Sequence, residues 1–117
     1  EFVLFGQEEI IEPLITSHSI LSRSKVEFVH SPEVVGMEEK PIAGIKGKKK
    51  SSMSLALQAL KEGEADALLS CGNTGCLMAG GAIKLRTLDG VERPALCTIW
   101  PGRERYFTLL GTTFTRT

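Results

Sequence analysis

Residues 70–78 read Ser-Cys-Gly-Asn-Thr-Gly-Cys-Leu-Met, and they lie between two apolar runs. An apolar strand that ends in small polar residues and leads into a helix is the usual corner of an α/β sheet, where ligands bind. Gly72 and Gly75 permit a tight turn and close approach of a ligand, while Asn73 and Thr74 supply short donors and acceptors. The corner predicts an anion site at a helix N-terminus, with a plain turn and helix cap as the alternative.

A run of lysines precedes a second predicted helix. The run is Lys46-Gly47-Lys48-Lys49-Lys50, followed by Ser51-Ser52-Met53 and apolar residues at helical spacing. The pattern predicts a serine cap at the start of this helix, at Ser51, and a helix stop at Gly63. Lysine is more favourable at the C-terminal end of a helix, because the N-terminus already carries the positive end of the helix dipole. We therefore expect an anion such as phosphate beside these lysines, with a solvated basic loop as the alternative. Because the formal net charge is zero, an anionic ligand or an acidic partner protein is favoured over nucleic acid.

Size and composition favour one small domain. The chain has 117 residues, of which 42% are hydrophobic, and this content suffices for a core. No apolar run is long enough to cross a bilayer, and the first residues lack the features of a signal peptide. These features predict a cytoplasmic location.

The cysteines Cys71, Cys76 and Cys97 are odd in number and lie in small or apolar surroundings. This favours reduced thiols that pack as small core residues over a disulfide framework. A zinc site is disfavoured, because Cys71 and Cys76 are separated by four residues and His18 and His30 lie far from them in sequence. A catalytic thiol at the corner is a further alternative, since a helix N-terminus lowers the pKa of a thiol. We expect no metal and no cofactor.

Strand-like and helix-like segments alternate along the chain. Predicted strands cover residues 2–5, 26–29, 67–70, 95–100 and 106–110, and predicted helices cover residues 7–15, 51–62 and 74–86. Pro13 predicts a kink in the first helix or a second turn from Glu12. The pair Gly80 and Gly81 predicts close approach of another backbone, and residues 31–50 read as a mobile loop. The alternation predicts an α/β fold with a mostly parallel sheet and helices on both faces.

Three ordered motifs resemble the phosphate acyltransferase family of bacterial phospholipid synthesis. They are Lys49-Lys50-Ser51-Ser52-Met53, the stretch at residues 70–78, and Gly90-Val91-Glu92-Arg93-Pro94-Ala95-Leu96. The resemblance is specific from about Lys46 to Pro101, and residues 2–35 fit as the strand, helix and strand before the motifs. The family's opening motif, Asp-x-Met-Gly-Gly-Asp, is absent. Its Leu-Asp-x-Gly-Ala-Asn motif is replaced by Leu110-Gly111-Thr112-Thr113.

Proteins of this family are much longer than this chain. The chain therefore reads as a single, incomplete α/β domain over residues 1–117, with a poorly matching tail from about residue 102. A gene fragment or a reading-frame disruption would account for that tail. The resemblance implies a fold similar to those of phosphotransacetylases and isopropylmalate dehydrogenases.

The resemblance also implies a reaction, in which a fatty acyl group passes from acyl carrier protein to inorganic phosphate to give acyl phosphate and free carrier. It implies a cytoplasmic homodimer that associates loosely, as a peripheral protein, with the cytoplasmic face of the inner membrane. On the matching positions, we expect Asn73 and Thr74 to be catalytic. The expected substrate-binding residues are Lys49, Lys50, Ser51, Ser52, Ser70 and Gly75. Cys71 and Cys76 stand where the family usually has alanine, which favours a packing role.

Attack of phosphate on a thioester requires orientation and oxyanion stabilisation rather than a protein nucleophile. We expect the two helix starts to face one pocket, where Lys50 and Ser52 hold phosphate and Asn73 or Thr74 bonds the thioester carbonyl or the attacking oxygen. The alternative is a non-catalytic fragment that at most binds phosphate or another anion. A nucleotide-binding Rossmann domain is disfavoured because the sequence contains no G-x-G-x-x-G.

Overall fold

The computed structural model describes residues 1–17 and 25–111. Contacts along the chain group it into two compact units, residues 1–85 and residues 86–117. The expectation of a single domain stays a prediction. The predicted tail beyond residue 111, and His18 among the weighed zinc ligands, lie outside the described residues.

The first unit begins with a parallel strand pair. Strand β1 (Phe2–Gly6) is followed by helix α1 (Glu8–Ser17) and strand β2 (Val26–His30). The two strands pair in parallel, with Phe2 opposite Val26 and Gly6 opposite His30. Parallel neighbours need a crossover connection, and α1 lies in this connection. Both predicted strands and the helix between them are confirmed.

Pro13 lies inside α1, which continues as one helix to Ser17. The predicted second turn from Glu12 is therefore wrong. Proline removes the hydrogen bond to the carbonyl four residues earlier, here that of Glu9. Because Glu9 and Pro13 are both exposed, water can bond to that carbonyl, and the helix tolerates the proline.

The predicted loop at residues 31–50 contains a short helix, α2 (Pro41–Gly47), so the loop prediction is wrong over these residues. Pro41 stands at the first turn of α2, where its missing N–H removes no helical hydrogen bond. Gly44 is buried, and a Cβ there would lie 3.1 Å from Cys76 Sγ. Proline and glycine normally indicate a loop, but here they begin the helix and allow its close packing.

Helices α3 (Ser52–Glu62) and α4 (Thr74–Lys84) form the core of the first unit with α2. Helix α3 ends at Gly63, which adopts φ 77° as the predicted helix stop requires. The buried core cluster consists of Ile45, Met53, Leu57 and Cys76.

Gly80 lies at the contact between α4 and the other two helices. A Cβ there would lie 2.5 Å from Leu57 Cδ1 and 3.1 Å from Ile45 Cδ1. Gly80 is thus closely approached, but by side chains, so the prediction of another backbone is wrong. Among the residues that the structure describes, nothing lies within 4 Å of a Cβ built at Gly81, so no close approach occurs there.

The predicted strand at residues 67–70 does not form. Leu68 packs on the core cluster, while the neighbouring Leu69 is 95% exposed. The alternation typical of a strand is present, yet no ladder partner for this segment exists among residues 1–17 and 25–111. An apolar run needs such a partner to become a strand.

The second unit contains a β-hairpin. After a turn at Gly90, with φ 82°, strand β3 (Leu96–Pro101) pairs with strand β4 (Tyr106–Gly111). The pairing is antiparallel, with Leu96 opposite Gly111 and Pro101 opposite Tyr106. Both predicted strands are confirmed. The fold is α/β, and its described residues contain one parallel and one antiparallel strand pair.

None of the helices in residues 1–17 and 25–111 is both long and apolar enough to cross a membrane. No group of three or more His, Cys, Asp or Glu side chains that could hold a metal ion is found in those ranges either.

Candidate functional site

Asn73 caps the start of α4. Its Oδ1 accepts a hydrogen bond from the Cys76 backbone N–H at 3.0 Å, and its backbone adopts φ 41°. Asparagine tolerates this left-handed conformation because its short polar side chain can bond locally. The residue is only 7% exposed. The cap reading of the corner is confirmed.

The amide nitrogen of Asn73 donates to the loop before α2. Nδ2 lies 2.8 Å from the carbonyl oxygen of Gly36 and 3.2 Å from those of Met37 and Glu39. Both polar atoms of this side chain are thus bonded within the protein. The arrangement attaches residues 36–39 to the start of α4.

The two glycines of the corner lie close to the same loop and to Pro41, the first residue of α2. A Cβ at Gly75 would lie 2.9 Å from Pro41 Cγ, and one at Gly72 would lie 3.3 Å from Met37 Sδ. The close approach predicted for these glycines is made by the protein itself. Ser70 Oγ donates to the Gly72 carbonyl at 3.2 Å, so Ser70 stabilises the turn. Thr74, by contrast, is exposed.

Ser51 caps the start of α3. Its Oγ accepts from the Ser54 N–H at 3.3 Å and donates to the Lys48 carbonyl at 2.8 Å. The side chain is fully buried. Ser52, the next residue, is half-buried. The Ser51 hydroxyl is therefore bonded within the helix cap, whereas the Ser52 side chain is partly accessible to solvent.

The lysines at the start of α3 differ in their surroundings. Lys48 forms an ion pair with Glu39, and its Nζ also donates to the Val34 carbonyl at 2.7 Å. Lys49 and Lys50 are exposed. Lys48 therefore stabilises the fold, and both lysines predicted to bind substrate, Lys49 and Lys50, are accessible.

Residues 33–39, which we call the bridging loop, contact both helix starts. Glu33 Oε2 accepts from the Lys50 backbone N–H at 2.7 Å, before α3, and the loop carbonyls accept from Asn73, before α4. This loop was not predicted from the sequence to contribute to the site. The sequence feature that could have indicated it is the pair of carboxylates, Glu33 and Glu39, which precedes a lysine run of opposite charge.

The pKa shifts of Glu39 and Cys76 follow from these contacts and from burial. The hydrogen bond from Lys48, together with that from the Gly36 N–H, lowers the pKa of the Glu39 carboxyl. Burial raises the pKa of the Cys76 thiol, with a smaller contribution from the Glu39 charge, which disfavours a reactive thiolate. All three cysteines are free. The core-thiol prediction is confirmed for Cys76 and is wrong for Cys71 and Cys97, which are exposed.

A groove of about 640 Å³ lies beside α3. Its wall carries three lysines, Lys46, Lys49 and Lys84, and apolar side chains that include Leu55 and Ile83. Lys84 Nζ donates to the Ser54 carbonyl at 2.7 Å, and burial lowers the Lys84 pKa. Among the described lining residues, Lys49 is the one that was predicted to bind substrate.

The fold and the site together define an α/β protein with two capped helix starts, one of them basic. Residues 1–111 match the sequence model of a family described as "Fatty acid synthesis protein". The chain belongs to this family.

Similar curated proteins carry the name "Phosphate acyltransferase". One from Clostridioides difficile is 39% identical over 111 residues, which are 95% of this chain and 32% of that protein. One from Azorhizobium caulinodans is 46% identical over 101 residues, 86% of this chain and 28% of that protein. One from Pseudomonas syringae pv. syringae is 40% identical over 107 residues, 92% of this chain and 32% of that protein. The chain thus spans about a third of the length of these relatives, and the family resemblance drawn from the motifs is confirmed.

Proposed function

We propose that this chain is part of a phosphate acyltransferase that transfers a fatty acyl group from acyl carrier protein to inorganic phosphate. A phosphate oxygen attacks the thioester carbonyl carbon, the carbon–sulfur bond breaks, and the carrier thiol leaves with a proton. The products are acyl phosphate, used in phospholipid synthesis, and free carrier. The observation that carries this proposal is the match of residues 1–111 to relatives of that name.

The start of α3 is the proposed phosphate site. Lys49 and Lys50 supply exposed positive charge, and the Ser52 hydroxyl lies in the first turn of the helix. Unpaired N–H groups and the dipole of a helix N-terminus attract an anion. Ser51 serves this site indirectly, because its buried side chain fixes the first turn.

The start of α4 is the proposed acyl site. The Thr74 hydroxyl is exposed, and we assign it the bond to the thioester carbonyl as negative charge develops there. Asn73 then acts by positioning, since its own amide is bonded inside the protein. Ser70 and Gly75 hold the turn that presents Thr74.

The fold and the assembly are part of the same proposal and are supported by the family resemblance. In this proposal the chain forms a single, incomplete α/β domain with a mostly parallel sheet and helices on both faces. Its fold is similar to those of phosphotransacetylases and isopropylmalate dehydrogenases. The proposed protein is a cytoplasmic homodimer, loosely associated with the cytoplasmic face of the inner membrane. Its partners are acyl carrier protein and inorganic phosphate, with no nucleic acid.

Substitution at the two helix starts tests the residue roles. In a full-length relative, alanine at the positions equivalent to Ser52 and Thr74 is expected to reduce phosphate-dependent consumption of the acylated form of acyl carrier protein. An alanine at the position equivalent to Gln58, on the middle of α3, serves as the control. Unchanged turnover in the first two variants would show that these positions are wrongly assigned.

A second candidate is a chain that binds phosphate without catalysis. The observation in its favour is that the chain spans 32% of the C. difficile relative, so most of that relative's length lies outside the matched part. Calorimetric titration with phosphate, alongside an assay for acyl phosphate, separates the two. Turnover by the 117-residue chain supports the enzyme, and binding without turnover supports the second candidate.

A further inference from the structure

The Glu39 side chain lies where the bridging loop meets the lysine run. Its Oε1 accepts from the Gly36 N–H at 2.8 Å and is paired with the Lys48 ammonium. The side chain of Glu39 is 30% exposed, so water screens the pair only in part. Hydrogen bonds between ionised partners are stronger than neutral ones. One carboxylate therefore holds the turn at Gly36 and also Lys48, four residues before α3, whose carbonyl accepts from the Ser51 cap.

The Glu39 backbone faces the other helix start. Its carbonyl oxygen accepts from Asn73 Nδ2 at 3.2 Å, next to the Gly36 and Met37 carbonyls that accept from the same nitrogen. Asn73 also holds the first turn of α4 through the Cys76 N–H. The left-handed backbone of Asn73 is costly for a residue other than glycine, so these bonds are needed to retain it.

The α3 side is fixed by the same residues. The Lys48 carbonyl accepts from the Ser51 hydroxyl, and that hydroxyl caps α3 through the Ser54 N–H. A continuous chain of bonds thus runs from Ser54 through Ser51 and Lys48 to Glu39, and from the loop carbonyls to Asn73 and Cys76. Glu39 is the residue that belongs to both halves of this chain.

We infer that Glu39 is a positioning residue that couples the starts of α3 and α4, so that a change at one start is transmitted to the other. The consequence for phosphate binding rests on the proposed function, whereas the coupling itself does not. Loss of the carboxylate charge weakens the hold on Lys48 and Gly36 together. The loop carbonyls then lose their fixed place opposite Asn73.

Amide hydrogen exchange, followed by ¹H–¹⁵N spectra of the 117-residue chain, tests the coupling without any ligand. Glu39→Gln is expected to speed exchange about tenfold at the Ser54 and Cys76 amides, as expected for weakening a charged hydrogen bond. The Leu57 amide, in the middle of α3, reports global unfolding, and the acceleration at the Ser54 and Cys76 amides is measured relative to it. Glu38→Gln, at an exposed neighbouring carboxylate, is the matched control and is expected to change neither amide.

A second measurement adds phosphate. In the unsubstituted chain, phosphate bound at α3 is expected to slow exchange at Cys76, on the other helix, because coupled sites affect one another reciprocally. Glu39→Gln is expected to abolish this response, and Glu38→Gln to keep it. A purely structural role of Glu39 would not produce a ligand response at the distant helix.

The outcomes separate the two claims. If phosphate changes exchange at no amide of the unsubstituted chain, those at the start of α3 included, the proposed phosphate site fails, and the ligand-free comparison still decides the coupling. Unchanged exchange at Cys76 in Glu39→Gln overturns the coupling, whatever phosphate does. Should Glu39→Gln prevent folding, Lys48→Met removes the other half of the ion pair, and the same acceleration at Cys76 is expected from it.

Discussion

The Asn73 side chain bonds both to the first turn of α4 and to the bridging loop. Its Oδ1 caps α4, and its Nδ2 reaches three carbonyls of the bridging loop. The residue type follows from these bonds and from its φ of 41°. Of the common residues that tolerate this backbone, asparagine offers both a donor and an acceptor.

Asn73→Ala is expected to reduce the free energy of unfolding by about 2–3 kcal/mol, since a cap and the tolerance of a left-handed backbone are lost together. Asn73→Gly keeps the backbone conformation and loses only the side-chain bonds, so its loss is expected to be smaller. Urea unfolding of both variants measures the difference. Equal losses would mean that the backbone conformation at this residue is not strained.

The two adjacent glycines of α4 provide a matched pair for packing. Gly80→Ala places a methyl group against Leu57 and Ile45, whereas Gly81→Ala meets nothing within 4 Å. Both gain the same helix propensity, so the difference between them isolates packing. We expect Gly80→Ala to be less stable than Gly81→Ala by about 1–3 kcal/mol in urea unfolding. Equal stabilities would contradict the close packing at Gly80.

Among the helices and strands, the features that depend on residues close in sequence were predicted, and those that depend on residues distant in sequence were not. The Ser51 cap and the Gly63 stop of α3 were predicted because each depends on neighbours within a few residues. Helix α2 was missed, because Pro41 and Gly44 read as loop residues, whereas Gly44 is explained by packing on Cys76, which is distant in sequence. The segment at residues 67–70 has a strand pattern without a partner, and no local pattern reveals the absence of a partner.

The candidate site divides in the same way. The sequence identified both helix starts, and it also suggested the cap roles of Ser51 and Asn73. It did not reveal that Glu39 removes Lys48 from the basic run or that the bridging loop uses the Asn73 amide. Those contacts join residues that are 9 and 34 to 37 positions apart.

The Glu39–Lys48 pair predicts a pH dependence. Because the pKa of Glu39 is lowered in the folded chain, its contribution to stability is complete above the unfolded-state value and is lost as the pH falls through the lower folded-state value. The stability difference between the unsubstituted chain and Glu39→Gln is therefore expected at neutral pH, to decline as the pH falls below the ordinary carboxyl pKa of 4.5, and to disappear below the lowered folded-state pKa. Urea unfolding across that range measures it. A difference that persists in acid would show that the Glu39 charge is not its source.

At the scale of the whole molecule, the two units differ in how they bury apolar surface. The first has the core cluster of Ile45, Met53, Leu57 and Cys76. The hairpin of the second leaves large apolar side chains exposed, including Ile99, Tyr106 and Leu110. An isolated two-stranded hairpin is marginally stable in water. The stability of this chain therefore resides in its helices.

Hydrogen exchange of the intact chain checks this distribution. Amides of β3 and β4 are expected to exchange at least about tenfold faster than those in the middle of α3, because they open without disturbing a core. Exposed apolar side chains on the hairpin provide little protection. Equal protection of hairpin and helix would show that the second unit is stabilised by contacts beyond its own strands.

We infer that the starts of α3 and α4, joined by the bridging loop, respond to phosphate as one site. Titration of the ¹⁵N-labelled chain with inorganic phosphate, followed through the amides of Lys50, Ser52, Thr74 and Gly75, measures this response. We expect saturable shifts at both helix starts that follow one binding curve. Shifts that never saturate, or that occur at α3 while Thr74 and Gly75 stay unchanged, would overturn the inference.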